Sequence, residues 1–130
     1  MITNPAILAA IETVAPQLIV PPEVDARAIL AAITMPETNW GERCEAGCFE
    51  IEYYRGGRWF NAEHVRNLVQ RYESLASCSY GPWQILFITA WELGYSEHPA
   101  RLRHPEVSAP WVVTYLNKRV KLLTSPRDYA

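Results

Sequence analysis

Apolar residues recur along this chain with two different periods, and the changes of period divide it into elements. Ile7, Leu8, Ile11 and Val14 repeat at helical spacing behind Asn4-Pro5, an N-cap followed by a proline at the first helical position. A helix is expected there until Pro16 stops it, and Pro21-Pro22 make a rigid break. A second helix should start between Pro22 and Asp25, with Ala26, Ile29, Leu30 and Ile33 as its buried stripe. Pro36 has no N–H for the carbonyl four residues back and biases Met35 away from helical geometry, so this helix should kink or end just before Glu37. Trp40-Gly41 then turns the chain.

From Cys48 to Phe60 the period shortens to two: Phe49, Ile51 and Tyr53 alternate with Glu50, Glu52 and Tyr54. Gly56-Gly57 supplies a tight turn and Arg58-Trp59-Phe60 would return, which predicts a β-hairpin with Glu50 and Glu52 on the face opposite the apolar one. So short a hairpin must pack on helices. Asn61 is the expected cap of a third helix with Ala62, Val65, Leu68, Val69, Tyr72 and Leu75 as its apolar face. Leu75 to Tyr80 reads as a loop. Pro82 would open a fourth helix that ends at Gly94, and its nearly all-round apolar surface predicts a central buried helix. Trp91 and Trp111 are assigned to the core. Pro99 and Pro105 bracket Arg101, Arg103 and His104 in a loop or one short helix. Ser108 would cap a last helix carrying Trp111, Val112, Tyr115, Leu116, Val120 and Leu123, before a polar tail from Ser125 to Ala130. The sum is an α+β fold, mostly α, in one domain spanning residues 1–130.

A hydrophobic fraction of 49% and a charged fraction of 20% suit a soluble globular protein. A formal net charge of −2 implies no polyanion-binding surface, and the Arg101, Arg103, His104 cluster is too small to suggest nucleic acid. Three cysteines, Cys44, Cys48 and Cys78, exclude a complete disulfide framework; three reduced thiols in a cytoplasm are the simpler expectation. With His64 they number four conceivable zinc ligands, but the spacing fits no common finger, so no metal or other cofactor is expected. Met1 to Val20 lacks Lys and Arg and is broken by Glu12, unlike a secretion signal. No segment approaches the ~20 apolar residues of a membrane span. The chain is therefore expected to be cytoplasmic as synthesised, with no membrane partner.

With the elements placed, two motifs stand out. Glu37-Thr38-Asn39-Trp40-Gly41 ends an apolar helix, and Ser79-Tyr80-Gly81-Pro82-Trp83-Gln84-Ile85 leads into another that ends Leu-Gly-Tyr. In this order, with a hairpin between them, they resemble the lysozyme-like superfamily over roughly residues 25 to 95. The likeness is to lytic transglycosylases, goose-type lysozymes and phage muramidases (endolysins). Glu37-Thr38 stands where that group has Glu-Ser, and Ser79, Gly81 and Gln84 match its Ser-x-Gly-x-x-Gln. Pro36 before the glutamate departs from the pattern, and Tyr115-Leu116-Asn117 is only a loose echo of the Tyr-Asn third motif.

The resemblance implies a lysozyme-like helical domain with its hairpin beside a cleft. It also implies cleavage of the MurNAc–GlcNAc β-1,4 bond of peptidoglycan glycan strands at the cell wall. A holin or other delivery machinery would carry the chain there. Such cleavage needs a proton delivered to the leaving oxygen, and Glu37 is the expected general acid/base, its carboxyl shielded by Trp40 and Trp83. Hydrolysis would need a second carboxylate, for which Glu50 and Glu52 are candidates; in transglycosylation the substrate's own hydroxyl attacks and Glu37 serves alone. Ser79 and Gln84 would bind substrate or orient Glu37. Tyr80, Trp83, Tyr53 and Tyr54 suit stacking against sugar rings. The alternative is a non-catalytic lysozyme-like module that binds glycan or serves a structural role.

Overall fold

The computed structural model of the chain describes residues 1–43 and 47–123, the last three by backbone alone. Cys44, the Leu123 side chain and the tail from Ser125 to Ala130 lie outside the described residues.

Helix α1 (Pro5–Val14) starts as its sequence dictates, with the Asn4 side chain accepting from the Ala6 N–H at 2.9 Å. Ile7, Ile11 and Val14 are buried, whereas Leu8 is half in water. Helix α2 (Ala26–Thr38) is capped by Asp25, which accepts from the Arg27 N–H at 2.9 Å. Helix α2 does not end before Glu37: it continues through Pro36 and carries Glu37 in its last turn. Only the helix bond to Ala32 is forfeited, and Ala32 is exposed, so water can satisfy its carbonyl. The chain then leaves through three successive left-handed residues, Asn39, Trp40 and Gly41, with φ of 49°, 63° and 87°. The N–H groups of Asn39 and Trp40 close on the carbonyls of Met35 and Thr34. A Cβ at position 41 would press on the tip of the Ile7 side chain, which would have to shift, so glycine is favoured there by space as well as by φ.

The sheet differs from the expected one. Its strands are β1 (Cys48–Phe49), β2 (Cys78–Tyr80) and β3 (Ile85–Leu86), antiparallel in that order. Cys48 lies opposite Ser79, and Tyr80 opposite Ile85. The predicted hairpin over residues 48 to 60 does not form. Beyond Phe49 the chain coils through a 3₁₀ turn at Ile51–Tyr53, and Gly57 donates back to the Tyr54 carbonyl at 2.7 Å. Gly57 sits directly against the Ile51 and Glu52 carbonyls, so this glycine folds a loop onto itself instead of joining two strands. Of the alternating apolar residues only Tyr53 is half-buried against the core; Phe49 is exposed, and Ile51 is 72% exposed.

The stretch read as a loop, Cys78 to Tyr80, is the central strand and is buried throughout. The stretch read as the start of a helix is a turn: Gly81–Gln84 joins β2 to β3, with the Gln84 N–H on the Gly81 carbonyl at 3.0 Å. Proline presets the same φ for the first residue of a helix and the second of a turn, so Pro82 alone could not decide between them. Helix α4 is accordingly short (Phe87–Glu92). It ends as expected at Gly94, whose N–H bonds Trp91 while that of Tyr95 bonds Ala90. It is not encircled by core: Phe87, Ile88 and Ala90 are buried, but Trp91 is 39% exposed and stacks on His64.

Helix α3 (Glu63–Tyr72) begins without the predicted Asn61 side-chain cap; the Asn61 carbonyl instead takes the Arg66 guanidinium. A short 3₁₀ helix spans Pro99–Arg103. Helix α5 (Pro105–Leu123) begins before Ser108, which is buried in its first turn and back-bonds to His104. One cluster of buried side chains runs from Ile2 to Val113, with Trp111 half-buried against Tyr95 at its edge. The architecture is α+β, mostly α. Among the described residues, no helix is long and apolar enough to cross a membrane.

Candidate active site

The two motifs meet through side chains that neither exposes. Thr38, the residue after Glu37, is buried, and its hydroxyl donates to the Pro82 carbonyl at 2.7 Å. The same oxygen accepts from the Gly41 N–H at 3.0 Å. Trp83 is buried as well, and its indole N–H donates to the Leu30 carbonyl in α2 at 2.8 Å. The end of α2 and the Gly81–Gln84 turn are thereby fixed to each other.

Between them opens a cleft of about 300 Å³. Ile33 and Glu37 line it from α2, Trp83 to Leu86 from the turn and β3, Thr89 from α4, and Val112, Tyr115 and Leu116 from α5. Its walls are mostly apolar, with Glu37, Gln84, Thr89 and Tyr115 as the polar groups. Glu37 is exposed at the rim. Gln84 is held at φ 51° by the turn, and one of its amide N–H groups bonds the Gly81 carbonyl at 2.9 Å. Its amide oxygen makes no hydrogen bond among the described residues, leaving it for a ligand.

Two further depressions share lining residues of α4 with it or with each other. One of about 310 Å³ shares Thr89 and Tyr115 with the cleft and adds Glu92, Leu93, Lys118 and Arg119. The next, about 180 Å³, shares Glu92 and adds Tyr53, Trp59, His64 and Ile88. There His64 Nε2 lies 3.0 Å from the Glu92 carboxylate, and the Tyr53 ring is stacked near that of Trp59. Burial chiefly, with Glu92, Glu52, Glu50 and Tyr115 adding, raises the Tyr53 phenol above its ordinary range. Linked in this way, the three depressions suit an extended ligand better than a compact one.

No family model, curated protein or solved structure matches this chain.

Of the residues singled out by sequence, Glu37, Gln84 and Trp83 come together here, but Trp83 forms wall and scaffold instead of an open stacking face. Tyr80 is removed from the surface altogether, 1% exposed with its hydroxyl on the Leu75 carbonyl. Ser79 is buried in the central strand and neither caps a helix nor lines the cleft. Tyr54 packs its ring edge-on against Phe49 and lines none of the three depressions. Trp40 is half-buried against the core and does not line the cleft beside Glu37. Glu50 and Glu52 are exposed and lie outside the Glu37 cleft; with no hairpin, they share no strand face.

Sequence reasoning missed Thr89, Tyr115 and Glu92. Tyr115 had a faint signal in the echo of the third motif, but its neighbour Asn117 serves the fold: its side chain bonds the backbone of Gln17 and Ile19. Among the described residues no group of three or more His, Cys, Asp or Glu side chains is placed to hold a metal. The zinc alternative needed Cys44, which lies outside them.

Proposed function

We propose that this chain is a peptidoglycan-cleaving glycosidase of the lysozyme-like kind, acting on the MurNAc–GlcNAc β-1,4 bond with Glu37 as its general acid/base. One observation carries the reading: Glu37 and Gln84, from separate motifs, line one cleft, and two more depressions continue it along α4. A strand of linked sugars laid along α4 would cover Glu37 and expel water from around its carboxyl. Glu37 then gives its proton to the glycosidic oxygen as the bond to the anomeric carbon breaks. Gln84 offers its amide oxygen to a sugar hydroxyl or N–H.

The lining of the Glu37 cleft includes no other carboxylate among the described residues, which favours the one-carboxylate route. In that route the muramic C6 hydroxyl attacks the anomeric carbon, its proton passes to Glu37, and a 1,6-anhydro sugar results. Glu92, the nearest carboxylate along the groove, is tied to His64. The exposure of Glu37 also supports a second reading, a module that binds glycan without cutting it.

The test is mass spectrometry of products from purified peptidoglycan with wild type and Glu37→Gln side by side. Anhydro-muropeptides from wild type alone are expected. Reducing-end products would mean hydrolysis and move attention to Glu50, Glu52 and Glu92. No products, with glycan binding retained in both proteins, would leave the binding module.

A further inference from the structure

The middle depression differs from its neighbours in charge. It lies between α4 and α5, and two of its walls are the exposed Lys118 and Arg119. The Arg119 guanidinium stands over the Tyr115 ring, 5.8 Å from its centre, which holds the fork of donors near the groove. Lys118 makes no ion pair among the described residues. The one carboxylate among the described residues lining it, Glu92, is engaged by His64 from the next depression. Thr89 and Tyr115 place hydroxyls on the boundary with the Glu37 cleft. A chain of net charge −2 thus sets two cations and two hydroxyls in the part of the groove adjoining its candidate acid. A planar fork of N–H donors beside an ammonium is a donor set for a carboxylate. A neutral sugar would need neither.

We propose that this depression is the subsite that receives a carboxylate of the glycan, with Lys118 and Arg119 as the residues that distinguish an acidic strand from a neutral one. The inference rests on the glycosidase reading of the adjoining cleft. It explains how a chain with no overall positive charge would select an acidic polymer: the attraction is confined to one subsite. The carboxylate has two sources, the lactyl group of a muramic residue stripped of peptide, or the stem peptide itself.

The experiment compares wild type with the double variant Lys118→Gln/Arg119→Gln. Three probes are titrated: neutral N-acetylglucosamine oligomers, peptide-free glycan strands and peptide-bearing strands. Both substitutions are at exposed positions, and thermal unfolding confirms an intact fold. The variant should bind acidic strands about tenfold more weakly, the scale of a lost hydrogen bond to a charged group, and neutral oligomers as wild type does. A loss confined to peptide-free strands assigns the lactyl carboxylate; one confined to peptide-bearing strands assigns the stem peptide. Unchanged affinity for both acidic strands, or an equal loss on neutral oligomers, overturns the subsite. In that case the glycosidase reading survives if Glu37→Gln still abolishes cleavage by the otherwise wild-type protein. Wild type that neither binds nor cuts any of the three overturns both.

Discussion

Thr38 shapes the candidate site without lining it. Its single oxygen serves the Pro82 carbonyl and the Gly41 N–H in a place water does not reach. Replacing it by valine keeps the shape and strands both partners. Thr38→Val should therefore lower the unfolding free energy by about 1–3 kcal/mol. In urea the midpoint should fall with an unchanged slope, while Thr38→Ser should lose clearly less. A loss from Thr38→Ser with none from Thr38→Val would assign Thr38 to packing alone. At this scale the sequence was informative about chemistry but not about aim. Glu37 and Gln84 were legible because acid and amide sat at motif positions. Tyr80 and Trp83 were misjudged because an aromatic ring with a polar tip suits a sugar platform and a buried hydrogen bond equally well.

Several elements with local causes were legible. The cap at Asn4, the start of α2 near Asp25 and the stop at Gly94 each depend on residues within one or two turns, whereas the expected caps at Asn61 and Ser108 did not form. The sheet was not legible, because its central strand pairs with segments on both sides and its partners cannot be read from period alone. The alternation after Cys48 imitated a hairpin, and Pro82 imitated a helix start. Besides the Thr38 hydroxyl, one indole N–H joins the turn to α2, and Trp83→Phe tests it. That substitution keeps most of the ring but drops the bond to Leu30, so stability should fall by about 1 kcal/mol, read from a denaturant titration. On the proposed function, glycan cleavage should suffer more than this loss explains, since Trp83 also lines the cleft. Activity unchanged within error would separate the wall from the function.

Taken whole, the molecule keeps its titrating weak points among buried tyrosines. Burial chiefly raises Tyr95 to about 12 and Tyr80 higher still, and Cys78 moves in the same direction for the same main cause. For a group raised on folding, the stabilising contribution is complete below the unfolded value, 10 for these phenols, and is lost as pH climbs through the folded one. Between pH 10 and about 12 the unfolded chain releases phenolic protons that the folded chain retains, so stability must decline there. Urea midpoints measured across that interval should fall steadily, with phenolate absorbance from the buried rings appearing only as the protein unfolds. A flat midpoint would contradict the burial of Tyr80 and Tyr95.

The bonds from Thr38 to Pro82 and from Trp83 to Leu30 span 44 and 53 positions of chain. Contacts that far apart close long loops, and the entropy lost in closing them is recovered only when the intervening segments pack too. Helix α2 can form early from its own caps and stripe, but at that stage Glu37 is a carboxylate on a bare helix end. The cleft exists only once both walls have packed. A fragment holding either wall alone would contain the motif residues and no site.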